Sequence, residues 1–475
     1  VSATNANEEF RSGRRLSGLL SLRAWVRRAC LVVAVFSLAA PALAGARAGL
    51  DPSFGNGGRA ATSLDLTEKI AGGAELGIAP DGSVVVAETG SLVRFRADGS
   101  RDLGFGPKGR VVLKASAAAE GVAERSFLAS NMAVDRRGRI LVFGTQNDAR
   151  ESFEGFAYTG LQPASLAIVF RFSAAGERDP SFGGGRGFIR GDFGLPPLLG
   201  PGFPMVGAMA GGVDSRDRPI LVAGVRTVVR GCYAKSTIGP QPKALVRLTD
   251  SGAPDPSFGG GDGISPLEGS GYFGLGIDGT DRTVVDVGSI GGSPAGCGSG
   301  SALIRVGRDG ERSPEFGEGG VRTLGGGGLY VAERSGAMIL ARRLTQATAL
   351  FRLKADGTLD QSFGGDGSTR VALPPRAHVK PVAVDGKGRV ILAGWVGAEA
   401  PKRSYFVVTR LHADGTLDPR FGDRGWIKTR FDRPLRLSSA ASKLDSQGRL
   451  LVAGTVSAPY SGLGGFVLAR YLLGP

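Results

Sequence analysis

The sequence predicts an all-β fold, a seven-bladed β-propeller of four-stranded antiparallel blades, and three observations carry that prediction. The nine residues Leu50 to Gly58, LDPSFGNGG, return six more times: RDLGFGPKG from Arg101, RDPSFGGGR from Arg178, PDPSFGGGD from Pro254, RSPEFGEGG from Arg312, LDQSFGGDG from Leu359 and LDPRFGDRG from Leu417. Four strand-like apolar stretches follow each copy, separated by polar or Gly-rich turns. Helical periodicity is essentially absent beyond the first 44 residues. A repeat of about 60 residues fits propeller blades that carry insertions, whereas an open β-solenoid needs shorter, more uniform coils.

The N-terminus belongs to a different compositional world. Arg11, Arg14, Arg15, Arg23, Arg27 and Arg28 precede an apolar run from Ala29 to Ala40, and PALAG follows with small residues at Ala42 and Ala44. This pattern is expected of a signal peptide over residues 1–44, cleaved after Ala44, which leaves 45–475 as the repeat domain in an extracytoplasmic place, secreted or periplasmic. The apolar run is short of the ~20 residues that a spanning helix needs. With 79 glycines, 21% charged and 42% hydrophobic residues in 475, the composition is that of a folded chain rich in turns, not a disordered one. The formal charge is +15, and about +11 remains without residues 1–44. That balance suits an anionic polymer as partner, although the arginines are spread over all repeats with no long basic run.

Within each connector the Asp-Pro opens a turn, the Phe anchors it and the following Gly tightens it, a pattern unlike a phosphate loop or a nucleophile elbow. The sixth unit shows the strands that follow most clearly, at Thr369–Leu373, Pro381–Asp385, Arg389–Gly394 and Phe406–Leu411. The second and third of these join through an Asp-x-x-Gly-type hairpin, repeated at Asp135, Asp214, Asp278, Asp385 and Asp445. No copy carries the acidic ladder of a calcium loop, so these aspartates are turn-formers. The ring is expected to close through the strand near Arg59–Ser63, which completes the last blade.

The connector LDPSFGNGG, the hairpins MAVDRRGRILVFG and VAVDGKGRVILAG, and the stretch RLKADGTLDQSFG together resemble the delta-60 repeat of bacterial exported proteins, which is similar to NHL-type propeller repeats. The resemblance spans Leu50–Pro475 and implies a propeller-like repeat with no established activity, so no catalytic residue follows from it. The fourth and fifth units depart most, with RSPEFG and with MILARR in place of the usual ILVAG.

The residues point to binding more than to catalysis. The only histidines are His378 and His412, the second in an exposed turn position. No His, Cys or carboxylate set has metal-ligand spacing, no cofactor motif is present, and no Ser or Cys nucleophile context is visible. The expected function is an exported, non-catalytic binding or interaction scaffold. Its ligand face is formed by the long loops after strands one and three of each unit, and its partner is a protein or an extracellular glycan. The alternative is a propeller hydrolase or lyase acting on an extracellular polysaccharide or cell-envelope polymer, which a cluster of carboxylates and Arg at the axial opening would mark. Phe153, Phe156, Tyr158, Tyr233, Trp395, Tyr405 and Tyr460 lie in or beside these loops as candidate ligand contacts, or else as small local cores.

Two further sets are singled out. Cys232 and Cys297 follow the third strands of adjacent units and are the cysteines left after export, so a disulfide between them is expected, with two free thiols as the alternative. Arg94, Arg171, Arg247, Arg305, Arg352, Arg410 and Arg470 occupy one position in all seven fourth strands. Asp102, Asp179, Asp255, Asp360 and Asp418 stand eight residues after five of them. They are read as structural clamps, against the alternative of a ring that binds an anion. Arg470 is expected to pair with Asp51, and Glu315 to replace the aspartate missing at Ser313.

Overall fold

The runs VVVAE at Val84–Glu88 and SLVRF at Ser91–Phe95 hold buried residues in succession, so a sheet built from them needs cover on both faces. Sheets standing radially in a ring cover one another. The computed structural model describes residues 47–62, 75–88, 90–113, 127–146, 166–193, 195, 205–226, 243–269, 274–288, 301–324, 329–333, 335–397, 404–431, 436–457 and 464–475. Ala48–Leu473 form one unit of seven antiparallel sheets.

Blade 1 runs Glu75–Ile78, Val84–Glu88, Ser91–Phe95 and Arg110–Val112, from first strand to fourth. Blade 2 is Phe127–Val134, Ile140–Gln146, Leu166–Phe172 and Phe188–Gly191, and blade 3 is Met205–Val213, Pro219–Arg226, Lys243–Arg247 and Ile264–Leu267. Blade 4 takes Gly274–Ile277, Thr283–Gly288, Ser301–Val306 and Val321–Leu324, and blade 5 Leu329–Ala332, Met338–Arg343, Ala347–Leu353 and Ser368–Ala372. Blade 6 is Ala377–Val384, Val390–Val396, Tyr405–Leu411 and Trp426–Thr429. Blade 7 has Arg436–Leu444, Leu450–Ser457 and Gly464–Leu472, and its outer position is filled from the other end of the sequence: Gly49–Leu50 and Arg59–Ala61 both pair antiparallel with Gly464–Leu472. The first strands touch in ring order from blade 1 to blade 7, and that of blade 7 touches that of blade 1.

The apolar core is a set of layers between blades. Phe105, Val85 and Val111 of blade 1 pack with Met132, Val142 and Phe170 of blade 2. Leu451, Ala453 and Leu468 of blade 7 pack with Leu76, Val86 and Phe95 of blade 1. Because each layer takes one face from each neighbour, no blade can bury its own apolar side chains alone.

The blades are offset by one strand from the sequence units. Thr369–Leu373, expected to begin the sixth unit, overlaps the outer strand of blade 5 at Ser368–Ala372, and the seven repeated arginines sit on third strands instead of fourth. The reason is that the connector, the best punctuated segment in the sequence, is a hairpin inside a blade. The link from one blade to the next carries no repeated signature. The connector geometry itself explains its glycines: Gly259 has φ +67°, and a Cβ there would fall 1.9 Å from the Ile264 carbonyl oxygen. The hairpin aspartates also turn the chain locally, as Asp135 Oδ1 accepts the peptide N–H groups of Arg137 and Arg139, both at 2.9 Å.

Candidate ligand face and the opposite arginine ring

Antiparallel strands send the turns between strands one and two and between three and four to one end of the ring, and the remaining links to the other. The first end is held by the repeated arginines. Each pairs in register with an aliphatic residue of the second strand, such as Leu141 for Arg171 and Leu451 for Arg470. Five are buried, and Arg94 and Arg352 half-buried. Their Nε atoms donate to a connector aspartate: Arg94 to Asp102 and Arg171 to Asp179 at 2.7 Å, Arg247 to Asp255 at 2.8 Å, Arg410 to Asp418 at 2.9 Å and Arg470 to Asp51 at 2.7 Å. Arg352 is looser, 3.5 Å from Asp360, and adds Glu333 at 3.2 Å.

The same seven guanidiniums reach forward. Arg94 donates to the carbonyl of Ala174, Arg171 to Asp250, Arg247 to Arg308, Arg305 to Ala355, Arg352 to Ala413, Arg410 to Leu473 and Arg470 to Ala97. Each acceptor follows the third strand of the next blade, so the contacts run once round the ring. All seven connector phenylalanines are buried, and six of them lie under their arginine at 4.4 to 4.9 Å. Glu315 does not take the place of the missing aspartate: it stands 3.7 Å from Arg282 and is more than half exposed. It stands two residues beyond Ser313 and acts on the Arg305 charge without forming an ion pair with it.

These carboxylates titrate low. At Asp51, Asp102, Asp179, Asp255 and Asp418 burial pushes the acid up, but hydrogen bonds to the carboxylate and the adjoining arginine outweigh it. At Asp360 the bond from Ser362 is the largest cause of the same downward shift. Depressed folded-state values mean that the unfolded chain binds more protons in acid, so the stability is present above the ordinary aspartate value of about 4 and lost as pH falls through the folded values. Circular dichroism against pH is expected to show stability level from pH ~7 to ~5 and a cooperative loss below ~4. Unchanged stability to pH ~2 would contradict the linkage.

The second end carries the predicted insertions, and its described part is richest at blades 5 and 6. There Arg343 Nη1 donates to His378 Nδ1 at 3.2 Å, and His378 stacks on Trp395 with ring centroids 4.3 Å apart and planes at 4°. Burial and Arg343 both lower the His378 pKa, and Nδ1, which faces a guanidinium that can only donate, is the accepting nitrogen. Beside this stack lies an open concavity of about 790 Å³ bounded by Arg343, Leu344, Thr345, Gln346, Ala347 and Arg370. Arg342, Arg343, Arg370, Arg376, Arg430 and Arg436 are all exposed here. Residues 342–347, 370–378, 395–397, 404–406, 428–431 and 436–438 contain no Asp or Glu. Tyr405 is half-buried, with Arg430 5.6 Å from its ring centroid.

On the axis, Glu75 of blade 1 interacts with Lys380 of blade 6 and Lys443 of blade 7, and Lys443 Nζ donates to the Met132 carbonyl at 3.3 Å. The dense surround of first strands raises the Glu75 pKa and lowers that of Lys443, although the Lys443 side chain still meets solvent along the axis. Among the described residues no group of three or more His, Cys, Asp or Glu is arranged to hold a metal.

The sequence profile described as "Domain of unknown function (DUF5122) beta-propeller" matches residues 339–363 and 388–421. No curated protein matches the chain. Among solved structures, polysaccharide lyase Uly1 is similar at TM-score 0.45 and 7% identity, over 84% of this chain and 89% of that one. The PQQ-bound form of aldose sugar dehydrogenase from Streptomyces coelicolor is similar at TM-score 0.37 and 13% identity, over 74% and 98%. Trypanosoma rangeli sialidase follows at TM-score 0.40 and 8% identity, over 87% of this chain and 59% of that one.

Of the aromatic candidates read from the sequence, Trp395 and Tyr405 fall on the blade 6 edge. Phe153, Phe156, Tyr158, Tyr233 and Tyr460 lie outside the described residues, as do Cys232 and Cys297. The sequence reading missed His378, Arg343 and Arg370. It also missed Lys243, whose pKa burial lowers to about 8 and whose Nζ donates to the Gly269 carbonyl at 2.7 Å.

Proposed function

We propose that this chain is an exported, non-catalytic binding propeller of the delta-60 repeat kind, with residues 1–44 as its signal peptide, and that its insertion-bearing face takes an anionic extracellular glycan. The observation that carries this reading is the cluster of exposed arginines around the His378–Trp395 stack, which holds no Asp or Glu among the described residues of this edge. Guanidiniums recognise carboxylate or sulfate groups bidentately, and flat aromatic surfaces take the apolar faces of sugar rings. The strands of blades 2, 3, 4 and 7 that border the long sequence insertions end on the same face by topology. The disulfide between Cys232 and Cys297 belongs to this proposal as a tie between two such loops.

Calorimetric titration with polygalacturonate beside neutral dextran tests the reading. Binding is expected for the acidic polymer only, and to weaken with salt. The double variant Arg343→Ala/Arg370→Ala is expected to lose about tenfold or more in affinity, since hydrogen bonds to charged groups contribute about 1.5–3 kcal/mol each. Equal binding to dextran, or full affinity in the double variant, would refute it. Release of new reducing ends during the titration would replace it with the hydrolase or lyase alternative.

A further inference from the structure

In two blades a single connector carboxylate oxygen serves two arginines. Asp255 Oδ2 accepts from Arg247 Nε at 2.8 Å and from Arg218 Nη1 at 2.8 Å. Asp51 Oδ2 accepts from Arg470 Nε at 2.7 Å and has Arg449 Nη1 at 3.8 Å. The turn arginine and the strand arginine thus converge on one negative atom.

Blade 4 keeps both arginines, Arg282 in the turn and Arg305 in the strand, but its connector reads RSPEFG. Ser313 therefore stands where the other six blades have aspartate. The backbone there is unchanged: the Ser313 N–H donates to the Arg305 carbonyl at 3.0 Å, as the Asp255 N–H does to Arg247 at 2.9 Å. Phe316 lies under Arg305 at 4.4 Å, as Phe258 does under Arg247 at 4.4 Å. Two side chains of the turn differ: the connector carboxylate is replaced by Ser313, and Ser257, whose hydroxyl accepts from Arg247 Nη2 at 2.9 Å, is replaced by Glu315.

Arg305 is fully buried. Its Nη1 donates to the Ala355 carbonyl and its Nη2 to the Gly336 carbonyl at 2.5 Å, while Nε, the atom that meets aspartate in the other blades, has no partner among the described residues. Arg282 Nε donates to Asp278 at 2.8 Å, and its Nη1 faces Glu315 at 3.7 Å. Asp278, Glu315 and Asp356 act on the Arg305 charge, yet none forms an ion pair with it. A buried guanidinium with an unmet donor is costly, and a second cation alongside raises the cost.

We propose that blade 4 binds a small monovalent anion, of chloride or formate size, between Arg305 Nε and Arg282, in the position that the connector carboxylate fills elsewhere. Serine in place of aspartate removes one carboxylate from the position, so an anion of that size is the expected guest and sulfate is expected to be too large. The site differs from the exposed arginine cluster in both face and chemistry, so it stands independently of the glycan reading.

The test is thermal unfolding of the full chain in chloride, formate, sulfate or gluconate at matched ionic strength. The wild type is expected to gain a few degrees in Tm with rising chloride or formate and nothing specific from gluconate or sulfate. Ser313→Asp is expected to raise Tm without chloride and to abolish the response, while Ser313→Ala keeps it. Equal Tm in chloride and gluconate, or a wild-type response in Ser313→Asp, would overturn the proposal. Should Ser313→Asp fold poorly, chloride NMR line width decides. Formate is expected to compete away the broadening seen with wild type, and Arg282→Gln to reduce it; no broadening with wild type would refute the site.

Discussion

Arg470→Ala is expected to destabilise the protein by about 3–5 kcal/mol, with Asp51→Asn close behind, because both partners are buried and each leaves the other without its counter-charge. Arg470 is 2% and Asp51 4% exposed, and their side chains meet at 2.7 Å. Arg470 also donates to the Ala97 carbonyl at 2.5 Å and to Ser53 Oγ at 2.9 Å. One side chain thus links the C-terminal strand, the N-terminal connector and blade 1. Burial lowers the Arg470 pKa, but a guanidinium stays charged at any pH at which the protein folds, so the loss is one of pairing and not of protonation. A double-mutant cycle in urea is expected to show the two substitutions strongly non-additive, and additive effects would mean that the pair does not clamp the ring. Arg137–Asp250 is the control, at 3.3 Å with both side chains more than half exposed. Removing Arg137 is expected to change stability by less than about 1 kcal/mol.

That the arginine–aspartate pairing was legible in the sequence, and the arginine-rich edge of blades 5 and 6 largely was not, has a physical cause. The connector must turn tightly, bury a phenylalanine and bring an aspartate under an arginine. Each demand admits few residue types, so the pattern repeats in letters. The forward contact, from each arginine to a carbonyl of the next blade, left no trace because every residue offers a carbonyl. The phase of the repeat was lost for a related reason: the link between blades is free to vary, and the hairpin inside the blade is not.

The arginine-rich edge of blades 5 and 6 is built from residues that break the repeat instead of following it. MILARR places Arg342 and Arg343 where other units read Gly, and that departure was the available signal. His378 meets Trp395 only through strand register, since the two are paired residues of neighbouring strands 17 positions apart in sequence. Arg370 comes from the outer strand of blade 5 and Arg376 from the link into blade 6. Nothing in their spacing announces that they share an edge.

Phe182→Ala is expected to cost about 3–5 kcal/mol, the range for deleting a buried phenylalanine. The ring is fully buried, lies 4.5 Å from the Arg171 guanidinium and closes the layer between blades 2 and 3. Blade 3 presses on it at Gly252, where a Cβ would fall 2.8 Å from Phe182 Cε2. Gly252→Ala alone therefore meets two penalties, a clash with the ring and a non-glycine residue at φ +90°. In the Phe182→Ala background the clash with the ring disappears, while the tight approach to Ile189 Cγ2 at 3.0 Å and the backbone penalty of about 1–2 kcal/mol stay. The double variant should thus be more stable than the sum of the single losses predicts, with the excess measuring the contact across the blades. Strict additivity would place the ring away from Gly252 and deny the phenylalanine its part in joining one blade to the next.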